Sequence, residues 1–144
     1  MISVMPVLAA ERSAIEALRV APSQQSFVAT NSVSLKQADA QAFCVPFSIY
    51  ADEELVGFAM YALDPDDGNY WIYRFMIAEQ FQGRGYGTAA LTALVERMQA
   101  LPGCSSIVLG VEPANETAAR LYRRAGFLER GDQLDGETIM VRQF

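Results

Sequence analysis

The chain contains no histidine and only two cysteines, Cys44 and Cys104, among 144 residues. Without histidine there is no imidazole base, so Ser-His-Asp and Cys-His arrangements are excluded. The two thiols lie far apart in apolar or turn surroundings with no C-x-x-C pair, so zinc and other metal sites of that kind are not expected. They read as free thiols of a reducing compartment, and a cytoplasmic location is expected. Basic residues are also sparse: 11 lysines and arginines face 17 aspartates and glutamates, a net charge of -6. A nucleic-acid surface needs a clustered basic face, and the longest basic run here is Arg123-Arg124. No apolar run approaches the roughly 20 residues of a bilayer span, and no leader pattern is visible. Neither a nucleic acid nor a membrane is expected as a partner.

What is present is a chain 51% hydrophobic, long enough for one core and too short for two. A single domain over residues 1–144 is expected. Pro6 limits the apolar piece Val4 to Leu8 to an edge strand, and Glu11 to Leu18 shows helical spacing. Ser34 with Gln37 has the form of a capping box opening a second helix to about Phe43. The period then changes to two. Phe47 to Tyr50, Leu55 to Leu63 and Tyr70 to Ile77 read as an antiparallel meander, with turns at Asp52-Glu53-Glu54 and Asp64 to Asn69. Thr88 to Ala100 places Leu91, Leu94, Val95 and Met98 on one helical face. Ile107 to Val111 suits a strand buried on both faces, parallel to the strand before the helix. Asn115 caps a last helix and Gly126 closes it. Strands near Phe127 to Gly131 and Glu137 to Phe144 flank a turn at Asp132 to Gly136.

Gln82-Gly83-Arg84-Gly85-Tyr86-Gly87 joins the third strand of the meander to the long helix. Glycines at every second position before a helix leave backbone N–H groups uncovered at its positive end, a site for a phosphate. Arg84 adds a cation that can approach from the side. A Walker loop would need Gly-Lys-Ser/Thr, and a Rossmann turn would need a third glycine where Ala90 stands. The second constellation is Asn115-Glu116-Thr117-Ala118-Ala119-Arg120-Leu121-Tyr122-Arg123-Arg124-Ala125-Gly126-Phe127. By itself it reads equally as a capped helix packed against the core.

The order of these parts is antiparallel strands, then Q-x-x-G-x-G at a helix start, an apolar strand, and N-x-x-A-x-x-L-Y-x-x-x-G-F. It resembles the GCN5-related N-acetyltransferase (GNAT) superfamily over nearly the whole chain. Val56-Gly57-Phe58 and Trp71-Ile72 ahead of Arg74-Phe75-Met76-Ile77 look like its bacterial diamine and polyamine branch. The resemblance implies an α/β fold: a mixed, mostly antiparallel sheet of about six or seven strands with about four helices, and a parallel, splayed pair at the cofactor site. It implies acetyl-CoA as cosubstrate, with no metal. Phe75, Met76 and Ile77 would pair with the pantetheine arm, and Gln82, Gly83, Arg84, Gly85, Tyr86, Gly87 and Thr88 would form the pyrophosphate loop. Asn115 would contact the cofactor near the pantetheine, and Tyr122 would protonate the departing sulfur. The acceptor would be a small primary amine, with di- and polyamines first, and a homodimer is common among relatives. A non-catalytic acyl-CoA sensor, or an enzyme acting on protein or aminoglycoside amines, are the alternatives.

An alkylamine of pKa about 10.4 is almost wholly protonated at pH 7, a cost of about 4–5 kcal/mol to the attack. A base should therefore assist. Polyamine acetylators commonly carry an acid nine positions before the motif glutamine, where this chain has Tyr73. A phenol of pKa about 10 is a poor base, so Tyr73 is expected to contact the substrate or order a water. Glu112, after the buried strand, is the candidate base and substrate contact. The acidic turns Asp52-Glu53-Glu54 and Asp64, Asp66 and Asp67 are candidate contacts for a polycation.

Overall fold

A computed structural model describes residues 1–144. Its strands are β1 (Ile2–Pro6), β2 (Cys44–Ala51), β3 (Glu54–Leu63), β4 (Tyr70–Ile77), β5 (Ser106–Val111), β6 (Leu128–Leu134) and β7 (Glu137–Gln143). They form one sheet in the order β1-β2-β3-β4-β5-β7-β6. Every neighbouring pair is antiparallel except β4 and β5. The α-helices are α1 (Arg12–Ala17), α2 (Asn31–Ala40), α3 (Tyr86–Gln99) and α4 (Glu116–Arg124). The mixed sheet and its helices agree with the architecture that the resemblance implies.

Each sheet face has its own core. On one, Leu91, Leu94, Val95 and Met98 of α3 are buried with Ile72, Ile107, Leu109 and Phe127. That is the face that the helical spacing marks. Each such side chain contributes about 1.5–3 kcal/mol of burial, which outweighs the roughly 1 kcal/mol that a loop glycine costs in chain entropy. Core packing therefore holds the helix start where the loop needs it. On the other face, Ile15 of α1 and Leu35 of α2 pack with Phe58, Met60 and Met76.

The sheet opens at its centre. β4 and β5 share only three pairs: Tyr70 with Ile107, Trp71 with Val108, and Ile72 with Leu109. Beyond Ile72, β4 pairs with β3 alone, so one backbone edge of Phe75, Met76 and Ile77 is free. The ladder shows why the strands part there. Met60 lies opposite Arg74 and Tyr61 opposite Ile72, which leaves Tyr73 as an extra residue in β4. Such a bulge bends its strand and increases its twist. It also breaks the alternation, so that Tyr73 and Arg74 both work on the α2 side: Tyr73 packs with that core, and Arg74 bonds to Ser34 and Gln37.

Three local expectations are corrected. α2 is capped by Thr30, whose side chain accepts from Val33 N at 3.3 Å, and not by Ser34. Ser34 is fully buried and accepts from Arg74 Nε, so its hydroxyl serves a tertiary contact. β2 begins at Cys44, with Pro46 inside it. The Pro46 carbonyl accepts from Val7 N at 3.1 Å, so its nitrogen faces the β1 side and removes no rung to β3. The final turn is only Asp135-Gly136, with φ of 52° and 81°, because Asp-Gly fits a two-residue hairpin turn with both φ positive. β6 therefore runs on to Leu134, and Glu137 is the first residue of β7.

Candidate active site

The loop after β4 has the shape that its glycines suggest. Gly83 and Gly85 have φ of 79° and 81°, and an added Cβ would meet nothing within 4 Å at either position. Backbone conformation, not crowding, selects glycine there. Gly85 is the N-cap of α3 and supplies no side-chain cap. The first N–H groups of the 14-residue helix are thus left for an anion. Gln82 braces the loop from within. Its amide donates to Ile77 O at 2.8 Å and to Gln24 Oε1 at 2.9 Å, and accepts from Gln24 Nε2 at 3.3 Å.

This loop forms one wall of a cleft of about 460 Å³. The free edge Phe75, Met76 and Ile77 lies along it, and Asn115, Arg120, Tyr122 and Arg124 of the α4 region form the opposite wall. Asn115 caps α4, its Oδ1 accepting from Ala118 N at 3.3 Å. Tyr122 is 8% exposed and meets Phe127 edge-on at 6.0 Å. Burial, and then the charge of Glu137, pushes its phenol up to about 12.

The cleft continues through the sheet. A neck of about 250 Å³ is lined by Phe27, Val28, Phe75 and Tyr122, which the cleft shares, and by Tyr73, Arg74, Gly110 and Glu137. Those last four also line a third chamber of about 450 Å³, with Asp64, Asp66, Asp67, Trp71 and Asp135. That chamber holds five carboxylates. No group of three or more is arranged to hold a metal ion. Tyr73 donates to Asp64 Oδ2 at 2.5 Å, and burial followed by that bond raises its phenol above the ordinary range. Such a phenol is an even poorer base.

Glu137 is the carboxylate at the junction. It is half-buried, and desolvation, then the charge of Glu112, raises its carboxyl above the ordinary glutamate value; Arg74 opposes this. Gly110 makes room for it: a Cβ there would lie 2.7 Å from Glu137 Oε1.

The acetyltransferase (GNAT) family matches residues 12–127. The chain belongs to this family. It is an N-acetyltransferase that uses acetyl-CoA. The spermine/spermidine N(1)-acetyltransferase of Bacillus subtilis (strain 168) is 36% identical over 149 aligned positions, covering 99% of this chain and 98% of that protein. Two solved structures share the fold. An aminoglycoside acetyltransferase, AAC(6')-Ib with coenzyme A, has a TM-score of 0.83 at 21% identity, covering 99% of this chain and 95% of that one. Spermidine N-acetyltransferase from Vibrio cholerae, with CoA and spermine, has a TM-score of 0.76 at 15% identity, covering 97% and 92%.

The candidate catalytic, cofactor and amine-contact residues converge on this cleft and neck, except for Arg84 and Glu112. Arg84 is absent from the cleft walls; its Nη2 donates to Gln80 O at 3.3 Å and its guanidinium lies over Phe81. Glu112 lines none of the three chambers and reaches the site only through its charge on Glu137. The turn Asp52-Glu53-Glu54 is likewise absent from the acidic chamber, and Asp52 binds the N-terminal ammonium at 2.7 Å. Arg120 and Arg124 were not foreseen, although their i, i+4 spacing places them on one helical face. Glu137 and Arg74 were not foreseen either.

Proposed function

We propose that this acetyltransferase acetylates a terminal amine of a di- or polyamine, with spermidine and spermine as the fitting acceptors. The single observation behind this reading is the five-carboxylate chamber joined to the cofactor cleft through a neck at Glu137 and Tyr122. The near-full-length similarity to the Bacillus spermine/spermidine enzyme supports it.

Bound in the cleft, acetyl-CoA supplies a thioester carbonyl open to attack by an amine. The N–H groups at the start of α3 receive its pyrophosphate, and Arg120 and Arg124 offer cations from the opposite wall. The free edge of β4 pairs with the pantetheine arm and presents a backbone N–H to the carbonyl oxygen. Asn115 sits beside that arm. The carboxylates of the outer chamber hold the distal ammonium groups, so the terminal nitrogen lies in the neck. Glu137 takes one proton of that nitrogen before it attacks; as the N–C bond forms and the C–S bond breaks, Tyr122, protonated at every working pH, gives its proton to the departing sulfur, and the second amine proton restores the phenol.

The test is the rate of thiol release from acetyl-CoA over an amine series. The kcat/KM should fall at least about tenfold from spermine or spermidine to butylamine, and added salt should shrink the difference, because the discrimination is charge on charge. Equal rates with butylamine would exclude the polyamine assignment, and a preference for aminoglycosides would transfer it to them.

A further inference from the structure

Arg74 is a cation in a chamber otherwise suited to cations. It lines both the neck and the acidic chamber, yet the three hydrogen bonds it makes go to neutral oxygens. Nε donates to Ser34 Oγ at 3.1 Å, Nη1 to the Tyr73 carbonyl at 2.8 Å, and Nη2 to Gln37 Oε1 at 3.0 Å. None of the molecule's four ion pairs includes it. Its charge is therefore held in a fixed place and is not neutralised by contact. The titratable groups around it come from five directions. They are Glu137 of β7, Tyr73 beside it on β4, Cys44 of β2, the Asp64, Asp66 and Asp67 turn, and Asp135 at the hairpin tip. Tyr122 of α4 shares the neck. Burial favours loss of its proton, but an arginine in a protein remains charged throughout the working range.

For binding alone such a charge is adverse, since it repels an ammonium. For the reaction it has the opposite value. A nearby like charge favours the neutral form of an amine, and the amine must be neutral to attack. We propose that Arg74 is a positioning residue: its fixed charge at the inner end of the channel lowers the proton affinity of the entering terminal amine and of Glu137 beside it, so that the amine's proton passes by way of Glu137 to solvent, while the outer carboxylates keep the distal ammonium charged. The inference rests on the polyamine reading above. In balance, the ammonium N–H bond breaks, the proton passes to the Glu137 carboxylate and leaves through the acidic chamber, and the lone pair remains on nitrogen. A monoamine meets the same repulsion with no distal charge to offset it.

The simpler role for Arg74 is to tie β4 to α2 through Ser34 and Gln37. Two variants separate the roles: Arg74→Lys keeps the charge and loses the three-way tie, whereas Arg74→Gln keeps polar contacts and loses the charge. With CoA in place of acetyl-CoA no transfer occurs, so calorimetry of spermine binding in buffers of differing ionisation enthalpy counts protons released. At pH 7, wild type and Arg74→Lys should release a similar fraction of a proton per spermine, and Arg74→Gln less than about half as much. In turnover, Arg74→Gln should lose about tenfold in kcat at pH 7, recover most of it by pH 9, and show an unchanged or lower KM for spermine. Equal proton release in all three proteins, or a kcat loss uniform with pH and shared by both variants, overturns the inference and leaves the structural tie. Failure of spermine to bind wild type overturns the polyamine reading and this inference with it.

Discussion

Glu137→Gln is expected to lower kcat for spermidine by about 100-fold or more at pH 7, with a smaller change in KM, as befits loss of a general base. The protein itself should lose no stability. Glu137 has its folded-state carboxyl raised by burial, so the ionised group is less comfortable folded than unfolded. That burden is present above the folded pKa and vanishes as the carboxylate is protonated at low pH. The glutamine variant should therefore melt at the same or a higher temperature than wild type at pH 7, with the difference shrinking toward pH 4. In the wild type the same raised value places the acid limb of kcat/KM above the ordinary glutamate range. Steady-state kinetics from pH 5 to 9, with melting curves, distinguish lost chemistry from lost structure. Undiminished kcat in a folded Glu137→Gln protein excludes Glu137 as the base.

Tyr122→Phe is expected to lower kcat by about 10- to 100-fold, at or below the low end for general acids. A thiol of pKa about 8.5 is already a fair leaving group, so less help is needed than for an alkoxide. The phenol is pushed up to about 12, so it keeps its proton through the accessible range, and wild type should show no alkaline limb from this group up to pH 10. The edge contact with Phe127 survives the change, so stability should alter little. Thiol release at saturating acetyl-CoA is the measurement. An unchanged kcat would assign Tyr122 to packing alone.

These two residues differ in how far the sequence disclosed them. Tyr122 lies at a fixed offset from the Asn115 cap and from Gly126, within one helix, so local spacing sufficed. The glycine loop and the buried face of α3 were visible for the same reason: each depends on residues near in sequence. Glu137 depends on things that are not local. It reaches the neck because β7 starts directly after a two-residue turn, because β5 carries Gly110 opposite Ile139, and because β4 parts from β5 beyond Ile72. The sequence already marks Glu137 as the start of the last strand, but local spacing does not show that this end meets the neck, whereas Glu112 is the acid nearest the buried strand. Tyr73 and Arg74 share one side of the sheet only through a bulge that no alternation pattern reveals. The acidic turn after β3 was noticed, but its meaning required Asp135 and Glu137 from the far end of the chain to join it.

The most direct measurement is a crystal structure of the protein with CoA and spermine bound together. The expected complex has the pyrophosphate at the N-terminus of α3, one terminal nitrogen of spermine in the neck between Glu137 and the CoA sulfur, and a distal nitrogen among Asp64, Asp66, Asp67 and Asp135. Spermine seated elsewhere, with the acidic chamber empty while CoA fills the cleft, would contradict it.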